Sequence, residues 1–229
     1  MPNIMNFDLI IFDCDGVLID SEILSNRAEV ELLKSFGIEF ELGDYMAQFV
    51  GKSTKDVLKT IEASHAVQLP VEFRRLAEKQ IFTAFKTELQ PIPGIFELID
   101  SIDTAKCVAS SSSLSRLDIT LKITGLLDRF SPHIFSAEQV SRGKPAPDLF
   151  LFAANKMQVS PDRCIVVEDS PYGVRAGVHA GMTVLGFTGG SHIQPGHAAR
   201  LLDEGAIDIC SDTALSSYME YTNIARILT

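Results

Sequence analysis

The sequence predicts an α/β protein with a parallel sheet and an all-helical insert after its first strand. Short apolar segments typical of buried strands occur at Phe7–Phe12, Lys106–Ala109, Cys164–Val167 and Thr183–Phe187. Helical patterns separate the later segments, and strands alternating with helices indicate a parallel sheet that is covered on both faces. Between the first two segments, about 70 residues show helical periodicity and no convincing strand.

Composition limits the class of protein. The chain has 229 residues, of which 46% are hydrophobic and 22% charged, so it can bury a full-sized core. Its formal net charge of −10 argues against nucleic acid or an anionic membrane surface as a partner. The four cysteines are scattered without a C-x-x-C pair, and no apolar stretch is long enough to span a membrane. We therefore expect a reduced, cytoplasmic protein with no obligate protein partner.

The insert is predicted to contain four helices. An apolar residue recurs every fourth position from Leu24 to Phe36, and Gly37 is a plausible helix stop. The other apolar helix faces consist of these residues: Tyr45, Met46, Phe49 and Val50; Val57, Leu58 and Ile61; Leu76, Ile81 and Phe85. Pro91 and Pro93-Gly94 then mark the return to alternating strands and helices. The expected domains are a discontinuous core, residues 1–20 and 91–229, and the insert, residues 21–90.

The first candidate site residues follow the first strand. Asp13 and Asp15 are two positions apart, so in extended backbone their carboxylates point to the same side. Such a pair repels unless one carboxyl is protonated or a cation lies between them. A simple strand-end turn is an equally good interpretation of these residues taken alone.

A second acidic pair, Glu168-Asp169, ends another apolar strand. Ligands of open α/β sheets bind at the carboxyl ends of the strands, so the two pairs would form one oxygen-rich pocket if their strands are neighbours. Oxygen ligands with room for water suit Mg²⁺, whereas no spacing of Cys and His suits zinc. The alternative is that Asp169 or Ser170 only caps the helix that Pro171 begins.

Two further candidates could bind an anion. Ser110 and Ser111 open a run of serines after the second strand, where hydroxyl and backbone N–H groups suit a phosphate. Lys144 lies in a loop stiffened by Pro145 and Pro147. Helix capping and a solvated surface lysine are the respective alternatives.

Taken together, four segments resemble the signature of the haloacid dehalogenase (HAD) superfamily. DCDGVLIDSE resembles its first motif, VASSS the second, RGKPAPDLF the third and VVEDSPYGVRAG the fourth, in the family's order. The pattern is most similar to the β-phosphoglucomutase-like phosphatases. The resemblance implies a Rossmann-like parallel-sheet core with a helical cap inserted after the first strand.

The resemblance also implies the roles of the site residues. Asp13 would be the nucleophile that forms an aspartyl-phosphate, and Asp15 the general acid and base. Mg²⁺ would be held by Asp13, the Asp15 carbonyl and Asp169, with Glu168 acting through water. Ser110 and Lys144 would hold the phosphoryl oxygens. The expected substrate is a small phosphorylated metabolite, a sugar or sugar-acid phosphate.

Related activities remain as alternatives. An Asp at position 15 favours phosphomonoester hydrolysis over dehalogenation. β-Phosphoglucomutases carry a cap His near Ser25 and an Arg near Thr54 that this chain lacks, which favours a phosphatase over a mutase. A silent member that only binds a phosphorylated ligand is the third alternative. We expect Gly51, Lys52 and Thr54 to form the substrate-selecting loop of the cap.

Two features are assigned no function. Cys14 is expected to fill the core, because its side chain points away from those of its neighbours. The segment Gly189–His192 lacks the Lys-Ser/Thr of a phosphate loop, so His192 and His197 are expected to be solvated loop residues.

Overall fold

The structure, a computed structural model, describes residues 7–49 and 54–211, with the side chains of Thr54 and Lys55 excepted. The chain forms two compact units. One is built from the residues up to Asp20 together with those from Gln90 onward, and the other from Ser21–Leu89. Among the described residues, no helix is both long enough and apolar enough to cross a membrane.

The first unit contains a parallel sheet, which confirms the predicted fold class. Its six strands in the described part of the chain are β1 (Leu9–Phe12), β2 (Ala105–Ser110), β3 (Ile134–Ser136), β4 (Cys164–Glu168), β5 (Thr183–Phe187) and β6 (Asp208–Cys210). Their order across the sheet is β3-β2-β1-β4-β5-β6. Every neighbouring pair is parallel, so all strands end at the same edge.

The centre of the sheet explains why its strands are so apolar. β1 pairs with β2 on one side and β4 on the other, placing Phe12 opposite both Val108 and Val167. The four residues of β1 are at most 3% exposed. Because the chain moves outward from β1 in one direction and from β4 in the other, the carboxyl ends of these two strands form a topological switch point.

The helices of the first unit pack on this sheet. They are α5 (Ile95–Ser101), α6 (Leu114–Ile123), α7 (Leu127–Phe130), α8 (Asp148–Lys156), α9 (Pro171–His179) and α10 (His197–Asp203), numbered in chain order after four helices of the other unit. Ser113 caps α6 by accepting a hydrogen bond from the Arg116 backbone, and Ser170 caps α9 with Pro171 in its first turn.

Sequence patterns missed two strands. β3 and β6 have three residues each and lie at the edges of the sheet. An edge strand is covered less completely than a central one, so neither β3 nor β6 needs a long apolar run.

The described residues of the unit Ser21–Leu89 form helices and the turns that connect them, with no strand. It contains α1 (Glu22–Ser35), α2 (Leu42–Phe49), α3 (Thr54–His65) and α4 (Phe73–Glu88). Leu33, Tyr45, Ile61 and Phe85 are among its fully buried side chains. Phe36, the last residue of the apolar recurrence that begins at Leu24, follows the last turn of α1 and is 39% exposed.

Candidate active site

The candidate site lies at the edge where β1, β2 and β4 end. Asp13 directly follows β1, and its backbone N–H donates to the Val167 carbonyl of the neighbouring strand. Ser110 is the last residue of β2, and Glu168 is the last residue of β4. The parallel pairing therefore gathers side chains that are more than 150 residues apart in sequence, from Asp13 to Asp169.

Lys144 joins the two acidic segments. Its Nζ lies 2.7 Å from Asp13 Oδ1 and 2.5 Å from Glu168 Oε1, and it also donates to the Ala109 carbonyl at 3.2 Å. The Lys144 side chain is 5% exposed, so it is not a solvated surface lysine. Its ammonium lies between both strand ends, within reach of an anion bound beside Asp13.

Burial and charge perturb this group of side chains. Burial raises the pKa of Asp13 well above its usual range; the Lys144 ammonium acts in the opposite direction, while Glu168 and Asp169 add to the rise. Burial also raises the pKa of Glu168, again against Lys144. Burial alone would lower the pKa of Lys144, but Asp13 and Glu168 outweigh it and hold that pKa above its ordinary value. One ammonium therefore compensates three carboxyls only in part.

The Glu168 carboxylate is fixed from both sides. Its Oε1 accepts from Lys144, and its Oε2 accepts from the Ser170 backbone N–H at 2.8 Å and the Ser170 hydroxyl at 3.0 Å. A Cβ at Gly173, in the first turn of α9, would overlap this carboxylate. The start of α9 is therefore a capped helix end that also holds the Glu168 carboxylate, so helix capping and site formation are compatible.

Asp169 is held by two histidines that sequence analysis placed in solvent. His192 Nε2 lies 2.9 Å from Asp169 Oδ2, and His197 Nε2 lies 2.5 Å from the Asp169 carbonyl oxygen. His192 is 2% and His197 3% exposed, so the expectation of solvated residues is wrong. The loop after β5 reaches the same sheet edge as the other strand ends. That shared edge was the signal in the sequence that could have identified His192.

The acidic residues fit a divalent cation. Asp13, Glu168 and Asp169 are buried, and each offers a carboxylate oxygen within 4.8 Å of the others. Such a crowded set of buried oxygen donors suits Mg²⁺, and a cation there would offset the excess negative charge. Gly16 has a φ of +84°, and a Cβ at this position would overlap the Asp169 carboxylate. Because position 16 is a glycine, its backbone lies closer to the Asp169 carboxylate than a residue with a Cβ could.

Asp15 has partners that sequence analysis did not single out. Its Oδ2 accepts from the Ser112 hydroxyl at 2.6 Å, and its Oδ1 accepts from Arg116 Nη2 at 3.2 Å. Both donors belong to the turn and first helical turn after β2. Their sequence gives no separate signal, because Ser112 resembles its serine neighbours and Arg116 resembles an ordinary surface residue of a helix.

The remaining predicted residues differ in their surroundings. Ser110 is 1% exposed, and its hydroxyl accepts from the Ser112 backbone N–H at 3.1 Å, whereas Ser111 is exposed. Cys14 is fully buried, which confirms its expected place in the core. Gly51 and Lys52 lie outside the described residues, as does the side chain of Thr54.

We predict that Gly16→Ala is far more damaging than Gly94→Ala. Both glycines have positive φ, +84° and +78°, so both substitutions incur the strain of a left-handed residue, about 1–2 kcal/mol. Nothing lies within 4 Å of a Cβ at Gly94, whereas at Gly16 the Cβ would displace Asp169. We expect Gly16→Ala to lower the phosphatase activity that the four motifs predict by about 100-fold or more, since small displacements at a reacting centre are costly.

The measurements for this pair are that expected activity and the thermal midpoint of each variant. Equal loss of activity in the two variants would mean that backbone strain, not displacement of Asp169, is responsible.

Comparison with known proteins identifies the family. The family model described as haloacid dehalogenase-like hydrolase matches residues 7–181. The chain belongs to this family. It is 31% identical over 189 residues to 6-phosphogluconate phosphatase of Escherichia coli, covering 82% of this chain and 86% of that protein. Both findings confirm the resemblance inferred from the four motifs.

Solved structures support the same family. A conserved haloacid dehalogenase-like protein of unknown function from Agrobacterium tumefaciens is 38% identical, with a TM-score of 0.87, over 98% of this chain and 100% of that one. A putative β-phosphoglucomutase from Thermotoga maritima has a TM-score of 0.76 at 23% identity, over 93% and 99% of the two chains, which is a likeness of fold. This haloacid dehalogenase-like hydrolase is a phosphoric monoester hydrolase, as is its relative 6-phosphogluconate phosphatase.

Proposed function

We propose that this hydrolase is a Mg²⁺-dependent phosphatase that cleaves a small phosphorylated metabolite through an aspartyl-phosphate on Asp13. The observation that carries the proposal is the contact of the Lys144 ammonium with both Asp13 and Glu168, beside Asp169. A nucleophilic carboxylate, a fixed cationic group and a set of oxygen donors meet there at one sheet edge. Phosphoryl transfer needs chiefly such positioning and charge neutralisation.

In the first step, an Asp13 oxygen attacks phosphorus. The new bond joins Asp13 to phosphorus, the ester P–O bond breaks, and its electron pair stays on the leaving oxygen. Asp15 gives that oxygen a proton, because an alkoxide is a poor leaving group. The two carboxyls are two residues apart on either side of Cys14, whose burial directs its side chain away from the reaction.

In the second step, water attacks the aspartyl-phosphate. Asp15, now ionised, takes a proton from that water, the Asp13–phosphorus bond breaks, and inorganic phosphate leaves with Asp13 regenerated. Asp15 therefore acts in both steps: it donates a proton to the leaving oxygen and then accepts one from the attacking water.

Positive charge near the phosphoryl group comes from two sources. Lys144 holds its proton between Asp13 and Glu168, close to where the phosphoryl oxygens bind. Mg²⁺, which Asp13, the Asp15 carbonyl and Asp169 would hold, with Glu168 acting through water, would supply charge neutralisation of the phosphoryl oxygens when bound. Ser110 and Ser111 provide hydroxyl and backbone donors for the same oxygens.

The substrate class is a sugar or sugar-acid phosphate. This part of the proposal is supported by the relative named 6-phosphogluconate phosphatase, which matches most of both chains.

We assign the helical unit Ser21–Leu89 the role of a cap, with Gly51, Lys52 and Thr54 selecting the substrate. A cap that excludes water favours transfer to Asp13 and strengthens contacts to the phosphate. The four free, buried cysteines agree with a reducing, cytoplasmic compartment.

The test is release of inorganic phosphate from a panel of metabolites, with Mg²⁺ or with EDTA. The panel contains 6-phosphogluconate, hexose and hexitol phosphates, glycerol phosphate, a nucleotide and p-nitrophenyl phosphate. We expect release with Mg²⁺ that falls at least about 100-fold in EDTA, with a sugar or sugar-acid phosphate preferred. In the same samples, Mg²⁺ is expected to raise the thermal midpoint, because it binds the folded state.

Three results would contradict all or part of the proposal. Activity that persists in EDTA would show that the reaction does not require a metal ion. Interconversion of a sugar monophosphate in the presence of its bisphosphate, without net phosphate release, would favour the mutase. A preference for the nucleotide would overturn the substrate class alone.

A further inference from the structure

Both oxygens of the Asp15 carboxylate are held by one short segment of chain. Ser112 donates to Oδ2 at 2.6 Å and Arg116 donates to Oδ1 at 3.2 Å. The Asp15 side chain is 13% exposed and that of Arg116 19%, so these contacts are largely shielded from water. A hydrogen bond to a charged partner is stronger in such surroundings than at the open surface.

The segment that carries the two donors is itself anchored. The Ser136 hydroxyl donates to the Ser112 carbonyl at 2.7 Å, which ties the turn after β2 to the end of β3. The backbone N–H of Arg116 donates to the Ser113 hydroxyl at 3.2 Å in the N-cap of α6. Ser112 and Arg116 therefore start from fixed backbone positions, and their side chains fix Asp15 in turn.

We propose that Ser112 and Arg116 are positioning residues that orient the Asp15 carboxyl group for proton transfer to and from the reacting oxygens. Each carboxylate oxygen has two lone-pair sites, and the hydrogen bonds from Ser112 and Arg116 use one site on each oxygen. When Asp15 gives its proton to the leaving oxygen it becomes an anion, and the Arg116 guanidinium is already beside it. This inference rests on the role given to Asp15 in the proposed function.

A positioning role can be separated from a structural one by the leaving group. An alkyl phosphate needs a proton on its leaving oxygen, whereas p-nitrophenolate leaves without one. A residue that acts through Asp15 should matter for the first substrate and hardly for the second. A residue that binds phosphate or supports the fold should matter equally for both.

The experiment measures kcat/KM for 6-phosphogluconate and for p-nitrophenyl phosphate. This ratio reports the steps up to transfer onto Asp13, so the later hydrolysis of the aspartyl-phosphate does not mask the effect. We expect Arg116→Gln and Ser112→Ala each to lower kcat/KM about 10- to 100-fold for the alkyl ester. For the nitrophenyl ester we expect a loss of less than about threefold.

A matched control comes from the opposite end of the same sheet. Arg163, just before β4, forms a comparable pair with Asp8, just before β1, at 2.8 and 2.9 Å. Arg163→Gln removes an arginine–carboxylate contact far along the strands from the site, and we expect it to leave both kcat/KM values unchanged. Thermal midpoints of all variants show whether Arg116→Gln folds; Ser112→Ala, the smaller change, tests the same role if it does not.

Asp15→Asn separates failure of this inference from failure of the proposed function. If Asp15→Asn lowers kcat/KM equally for 6-phosphogluconate and for p-nitrophenyl phosphate, the acid role of Asp15 is wrong, and the inference is wrong with it. Asp15→Asn could instead lower kcat/KM more for the alkyl ester than for the nitrophenyl ester. If Arg116→Gln and Ser112→Ala then lower kcat/KM equally for both esters, or for neither, only the inference is overturned. In the Asp15→Asn background, Arg116→Gln should cost little more, because the group it acts through is gone. Full additivity there would also overturn the inference.

Discussion

Asp13→Asn is expected to lower the rate of phosphate release by about 10⁴-fold or more, because it removes the proposed nucleophile of the first step. The substitution keeps the size of the side chain, and Lys144 keeps its second carboxylate partner, Glu168, at 2.5 Å. The fold should therefore survive. The measurement is phosphate release with Mg²⁺ at saturating substrate, together with the thermal midpoint of the variant.

Asp8→Asn is the control for this prediction. Asp8 precedes β1 just as Asp13 follows it, and it contacts Arg163 at the opposite end of the strand. We expect its phosphatase activity to match that of the unmodified chain. An Asp13→Asn variant that retains activity within about tenfold would exclude Asp13 as nucleophile.

Lys144→Met is expected to have the largest effect on stability. The lysine ammonium is buried between Asp13 and Glu168, and its removal leaves two buried carboxyls without their cation. Breaking a buried ion pair from one side typically costs about 3–5 kcal/mol. The free energy of unfolding, measured in urea with EDTA present, checks this value. Activity should be lost as well, since Lys144 is the fixed cation beside the proposed nucleophile.

The stability deficit of Lys144→Met should depend on pH. The pKa values of Asp13 and Glu168 are raised in the folded chain, so the folded state binds these protons more tightly than the unfolded state. Their contribution to stability is therefore present at low pH and lost as pH rises through the raised values. Without Lys144, which lowers both pKa values, this loss is larger. We expect a smaller deficit at about pH 5 than at about pH 8.

Lys122→Met is the control for charge removal. Lys122 contacts Asp118 at 2.7 Å on the surface of α6, with both side chains at least half exposed. An exposed pair of this kind contributes about 0.5 kcal/mol or less, so its loss should be small at either pH. A deficit in Lys144→Met that is equally small would mean that water reaches the buried carboxyls.

Local sequence was sufficient for the central strands and the helical unit. β1 is apolar throughout, and β4 and β5 are apolar over most of their length, because neighbouring strands cover them on both sides; such an apolar run is a strong signal. The helices of Ser21–Leu89 show apolar spacing because each buries one face. β3 and β6 left no such signal, since a three-residue strand at an edge has few buried positions.

The site residues that end an apolar strand, or directly follow one, could be predicted from the sequence. Asp13, Glu168 and Asp169 come directly after or at the end of apolar strands, so their position along the chain already indicated a shared edge. Lys144 was predictable only through its resemblance to a family motif, because an isolated lysine between prolines has no burial signal. His192, Ser112 and Arg116 were not predicted as site residues, because each lies in a loop or first helical turn whose direction depends on the packed fold.

The amino-acid sequence by itself determined which chemical groups lie at the strand ends: acidic residues at two of them and serines at a third. These assignments depend on local patterns and on the rule that parallel strands end together. Only the tertiary structure decided which partners meet, with Lys144 between Asp13 and Glu168, His192 on Asp169, and Arg116 on Asp15. Such contacts join residues far apart in the chain, and packing, not local propensity, sets the distances between them.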